Sequence, residues 1–418
     1  MTTLQRILAG FIITCCYNSC ALHPNNSNNN NIPGNKTAAI TRLSGLDHSN
    51  LANDDKNIAV KQIQVKINKN IELFGLIMQL NMGEDLANSN DTLMIDNQLS
   101  TWKDWYRLAW NNYTKYKKFN ESSLMKLYRS YSQKGFYDDF FIGFLLQVDE
   151  VPAAKLNSTT DKEVVMTFSA SSDYTSAQKA AAKFLEEFNA FYKELKFADY
   201  LMQNEDNYKR MVADVIKNLP SETFLPAMET FYQKAFQNYF LVPGFNIPTS
   251  MGFGKMNRNT QSIYNVFGPF TFQRFETRPL QLGFDDPSRI QNLSVHEFGH
   301  SFVNPAVDQL PEELVASTDY LFTPIKEAMS KLAYPSWKIC LYEHFVKAGE
   351  VILAEKLGKK ENAENLLKES VAARFIYLPF IVEELRRYDA NKITYPSYEV
   401  FIRGVLEKLK KRQPNEKD

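Results

Sequence analysis

The chain has 418 residues, 44% hydrophobic and 13% aromatic, and its 48 Lys+Arg balance its 48 Asp+Glu. Such a length and apolar content can fill more than one core. The absence of net charge leaves no electrostatic footprint for nucleic acid and no basic arm for anionic lipid.

The opening "MTTLQRILAGFIITCCYNSC" carries the cationic Arg6, an apolar run from Ile7 to Ile13, and then small or thiol residues. Residues 1–20 therefore read as a secretory signal, too short to span a bilayer. Three of the four cysteines, Cys15, Cys16 and Cys20, cluster at its end, and only Cys340 lies further on, so no disulfide is expected in the folded region. That cluster resembles a bacterial lipoprotein processing site, which implies a secreted or cell-envelope protein touching the membrane only through a lipid anchor. Residues 21–58 include "NNSNNNNIPGN", a polar low-complexity stretch that cannot bury apolar surface and reads as a flexible linker.

Within residues 59–235, "AVKQIQVKI" alternates like a strand, and "NIELFGLIMQL" has helical spacing. Helices are also expected in "WKDWYRLAWNNYTKYKKF", "SLMKLYRSYSQ", "YDDFFIGFLLQV", "TSAQKAAAKFLEEFNAFYKELKFADYL", "RMVADVIKNL" and "LPAMETFYQKAFQNYF". Gly, Pro and β-forming residues then gather between Phe240 and Phe272, predicting a small sheet. Helices return with "NLSVHEFGHSFVNP", expected to end at Pro305, then "YPSWKICLYEHFVKAGEVILAEKLG", a single helix over "ENLLKESVAARFIYLPFIVEELRRYDA", and "SYEVFIRGVLEKLKKR". The fold class is α+β, mostly α: an α-rich region over 59–235 followed by a catalytic region over 236–418.

Residues four apart on a helix project from one face one turn apart, so His296 and His300 can present two nitrogens to one point. Glu297 lies about 100° round from His296, beside a metal rather than on it, where it can act as base toward a metal-bound water. Zinc in such a site keeps one position open and lowers the pKa of its water to about 7. The flanking Leu293, Val295, Phe298, Phe302 and Val303 are apolar, as suits a helix buried behind a metal. Gly299 costs about 1 kcal/mol against alanine in a helix interior and hints at close approach by another element.

A third protein ligand is needed. A third histidine six residues after His300 is excluded, because Ala306 stands there and Val303 occupies the glycine position of that longer pattern. Glu343 on the later helix is the leading carboxylate, with Glu350, Glu312 and Glu313 as alternatives. His344 is first a core histidine, and Asn304 is first a helix-end cap.

These residues resemble the gluzincin clan of zinc metallopeptidases. More narrowly, "HEFGHSFVNP" with the later "W…YEHFVKA" and "IELFGLIMQL" is similar to a family of secreted bacterial proteins described as a domain of unknown function, over most of the chain from about residue 60. The resemblance implies a zincin-like catalytic region, zinc at His296, His300 and Glu343, Glu297 as general base, and a peptide or protein substrate. Many gluzincins carry an acid four positions after the glutamate ligand; Lys347 stands there, so support for a histidine must come from elsewhere. An oxyanion donor could be Tyr334, Tyr388, Tyr395 or His344. A different class of function, a surface lipoprotein that binds peptide or glycan around a structural or vestigial zinc, shares the anchor, the linker and the aromatic content.

Overall fold

The computed structural model describes residues 62–95, 98–169 and 173–411. The expected signal, its three cysteines and the whole of the expected linker lie outside the described residues. Among those described, no helix is long and apolar enough to cross a membrane.

The architecture is mostly helical, with one small mixed sheet. Strand β1 (Ile63–Val65) leads into helix α1 (Lys69–Asn88), which Asn68 caps by accepting from the Ile71 amide at 3.0 Å. A hairpin, β2 (Thr92–Ile95) with β3 (Gln98–Thr101), follows, then helices α2 (Arg107–Tyr116), α3 (Ser123–Gln133), α4 (Asp138–Leu145), α5 (Tyr174–Glu194), α6 (Glu205–Lys217) and α7 (Phe224–Tyr232). Strands β4 (Asn238–Pro243), β5 (Gly252–Asn257) and β6 (Ser262–Phe267) complete the sheet. Helices α8 (Pro287–Asp308), α9 (Trp337–Lys356), α10 (Lys360–Ala372), α11 (Leu378–Ala390) and α12 (Tyr398–Lys410) close the chain.

The sheet has the order β1-β4-β6-β5, with β1 and β6 parallel to β4 and β5 antiparallel to β6. Both faces are covered. Tyr239, Leu241, Ile263 and Phe267 face the core built by α8, α9 and the later helices, while Val242, Tyr264 and Val266 face the core of α1 and the early helices. This is the period-two alternation of a strand, with apolar residues on both sides because both sides are buried.

Helix α1 is buried nearly all round, yet it carries Asn70, Glu72 and Gln79. Each has partners, as buried polar groups must. Glu72 accepts from the amides of Phe245 at 2.8 Å and Asn246 at 3.2 Å and from the Tyr208 hydroxyl at 3.0 Å, and Gln79 donates to the Asn246 carbonyl at 2.8 Å. Gly75 lets α1 lie directly on this loop: a Cβ there would sit 2.6 Å from the Asn246 carbonyl carbon. The segment that feeds β5 is thus clamped to the early helices.

Several local expectations are corrected. The helix expected over 225–240 stops at Tyr232, where Gln233 takes a left-handed backbone (φ 52°), and its last residues join β4. The helix expected over 364–390 breaks into α10 and α11 at Arg374 (φ 76°). A break at Tyr106 divides the one expected over 102–119, and Lys196 (φ 54°) ends α5. Pro305 does not end its helix, which runs on to Asp308.

Candidate metal site

Helix α8 begins with Asp286 accepting from the Arg289 amide at 2.9 Å and Pro287 in the first turn, a start that needs no proline amide. It packs against β5 and β6 on one side and α9 on the other. Gly299 permits the second contact: a Cβ there would meet Val346 of α9 and the Tyr232 hydroxyl, each at 3.4 Å. The close approach expected from this glycine is present.

That crossing brings His296, His300 and Glu343 together as a group able to hold a metal ion. The Nε2 atoms of the two histidines are 3.2 Å apart. His300 Nε2 lies 3.4 Å from Glu343 Oε1, and His296 Nε2 lies 3.9 Å from Glu343 Oε2. Ligand atoms about 2.05 Å from a tetrahedral ion stand about 3.3 Å from one another, so the three groups already stand close to the spacing of such a shell. Glu343 Oε2 is buried without a hydrogen-bond partner, as is the Tyr232 hydroxyl behind the crossing. An orphaned carboxylate oxygen facing an imidazole fits a cation.

The other ring nitrogens fix the tautomers. His296 Nδ1 is hydrogen-bonded to Glu350, two turns beyond Glu343 on α9, and His300 Nδ1 lies 3.1 Å from Asn304 Oδ1. In the neutral rings, with each Nδ1–H donated to oxygen, both Nε2 lone pairs face the gap beside Glu343. Glu350 is therefore placed as the orienting partner of His296 rather than beside the Nε2 pair. Asn304 holds His300 and does not cap the helix end, which lies further on. Lys347 directs its ammonium onto the Phe375 ring, 5.2 Å from its centroid.

Electrostatics follow from this crowding of acids. Burial alone pushes the His296 imidazole down, but the charge and hydrogen bond of Glu350, with Glu343 and Glu297, outweigh it and raise the ring to about 9. The pocket favours positive charge at that spot. Burial raises the Glu297 carboxyl above its ordinary value, against the opposing pull of both imidazoles. Its carboxylate lies against Gly252 of β5.

The remaining candidates fall elsewhere. His344 is buried among Trp337, Phe375 and Tyr377, donates Nδ1–H to the Cys340 carbonyl at 2.7 Å, and is held down to about 4 by burial, so it is a core histidine. Tyr388 gives its hydroxyl to the Phe231 carbonyl at 2.8 Å, Tyr334 packs on Phe375, and Tyr395 packs on Tyr388 and Phe401. Glu312 and Glu313 are exposed on the short Glu312–Ala316 helix.

No curated protein and no solved structure matches this chain. A family model does match, over residues 63–407, a span that begins at β1 and ends within α12. On that match the chain belongs to the family described as Domain of unknown function (DUF4932).

Proposed function

We propose that this chain is an exported zinc-dependent peptidase of gluzincin type with a zincin-like catalytic region, in which His296, His300 and Glu343 hold the ion and Glu297 is the general base. The observation that carries the reading is the convergence of the two Nε2 atoms and the Glu343 carboxylate at separations of 3.2 to 3.9 Å, with the buried Glu297 beside them. Two nitrogens and one carboxylate suit zinc and leave a coordination position open. Zinc held there lowers the pKa of water and polarises a carbonyl. Glu297 takes up a proton from the attacking water and passes it to the leaving amine, a task that suits a carboxyl raised by burial.

A peptide substrate is supported by the outer edge of β5, which no other strand pairs with among the described residues. The Met251 carbonyl accepts from the Gly268 amide at 3.0 Å, on the β6 side. By strand alternation Gly252, Gly254 and Met256 turn their backbone groups outward, and Gln147 Nε2 takes the Met256 carbonyl at 3.2 Å. An extended peptide can pair with the edge that remains. The signal, cysteines and linker support export and a lipid anchor.

The test is elemental analysis of the purified protein together with cleavage of a peptide library, with Glu297→Gln as control. One zinc per chain and hydrolysis lost only in the variant are expected. Zinc without cleavage of any peptide would favour the lipoprotein that binds peptide or glycan, and absence of zinc would overturn both.

A further inference from the structure

The glycines of β5 are not explained by backbone conformation. Gly252 and Gly254 lie in a strand, outside the left-handed region where glycine is needed. Space explains them. A Cβ at Gly252 would stand 2.6 Å from Glu297 Oε1 and 3.0 Å from Leu293 Cδ1, and one at Gly254 would stand 2.2 Å from the Glu297 backbone oxygen. The shortest contact at each position falls on one residue of α8, Glu297. Alternation puts 252 and 254 on the same face of β5, so the strand lies on Glu297 twice, once on its carboxylate and once on its main chain.

From this we infer that Gly252 and Gly254 are positioning residues for Glu297: together they form a seat without side chains that fixes how far its carboxylate reaches toward the two imidazoles. The seat is held from behind. The 244–249 segment leading into β5 is bound to Glu72, Gln79 and Gly75 of α1, so β5 cannot simply retreat when a methyl group is added. A methyl at 252 must displace the carboxylate itself, because the nearest atom is its oxygen. At 254 the nearest atom is backbone, and the whole turn of α8 must move. The inference rests on the proposed peptidase for its catalytic meaning, but the contact itself is testable without activity.

The experiment is a double-mutant cycle on the metal-free protein. Gly252→Ala should lower Tm in the parent, and in a Glu297→Ala background the same change should lower it by roughly half as much or less, because its partner is gone. Gly404→Ala, on α12 with no atom within 4 Å of the added carbon, serves as the control and should hold or raise Tm, because alanine is the better helix former. Equal Tm losses in the two backgrounds would overturn the inference. If Gly252→Ala fails to fold alone, folding of the double variant supports it, and failure of both overturns it. In the zinc-loaded enzyme Gly252→Ala should keep its metal and its KM while kcat falls about tenfold or more, since misplacing a base costs rate rather than binding. An unchanged kcat would overturn the positioning role. An inactive parent would remove the peptidase reading and leave the stability cycle to decide the contact.

Discussion

Glu350 holds the Nδ1 side of the His296 ring, while Glu343, seven positions earlier on the same helix, stands on its Nε2 side. One helix thus supplies both a proposed ligand and the group that aims another.

Removing the aiming group should weaken metal binding without abolishing it. Glu350→Ala is expected to lower zinc affinity about 10- to 100-fold, the usual cost of losing such a partner. Glu350→Gln, whose amide oxygen can still accept from Nδ1–H, should lose less. Competition against a chromophoric chelator measures both, and an affinity equal to the parent's in Glu350→Ala would remove this role.

Zinc should stabilise the fold through mass action. At a free concentration of about 100 times Kd the gain is about 2.7 kcal/mol, visible as a rise in Tm that a chelator reverses. In Glu343→Ala, His296→Ala and His300→Ala the rise should shrink or vanish. A rise of parental size in Glu343→Ala would mean that another side chain completes the site.

The buried Glu72 makes a pH-dependent contribution. Burial pushes its carboxyl up to about 7 from 4.5, against three hydrogen bonds that favour the charged form. Between those values the folded state keeps a proton that the unfolded state has released, so the contribution is complete below about pH 4.5 and lost as pH rises through 7. The loss is about 3 kcal/mol. Relative to the parent, Glu72→Gln should start less stable, because an amide NH2 replaces one accepting oxygen, and close that gap as pH rises. Urea denaturation of both proteins from pH 4.5 to 8 tests this, and parallel profiles would refute it.

The Tyr232 hydroxyl fills the space left by Gly349, whose Cβ would come 2.4 Å from it. Gly349→Ala should therefore cost about 1–3 kcal/mol through overpacking. That hydroxyl is buried without a partner, so Tyr232→Phe should be nearly neutral and should restore most of the loss when the two are combined. Additive losses in the double variant would place the strain elsewhere.

The motif helix was legible because two histidines at a four-residue spacing amid apolar residues constrain both geometry and burial. Glu343 was legible only as a carboxylate on the next long helix, since helix period says which face it occupies but not which face meets α8. Asn304 was misread because an amide near a proline looks like a cap, and its true partner lies one turn back on the same helix. Arg374 and Gln233 adopt left-handed backbones without being glycine, and so gave no punctuation where α7 and α10 end. The β2–β3 hairpin is too short for alternation to announce it. Gly299 signalled a close contact correctly, whereas Gly252 and Gly254 read only as turn or strand residues until the strand and α8 were seen together.

The three proposed ligands and the carboxylate that aims His296 come from two rods, a histidine pair one turn apart on α8 and a glutamate pair two turns apart on α9. A change in the angle between these rods would therefore shift every distance at once, and no single side chain could compensate by choosing another rotamer. The contact where the rods touch, Gly299 against Val346, and the packing of Tyr232 of α7 against Gly299 and Gly349 would thereby tune metal affinity from outside the coordination shell. Selection for tight or loose binding would act on those contacts as strongly as on the ligands themselves.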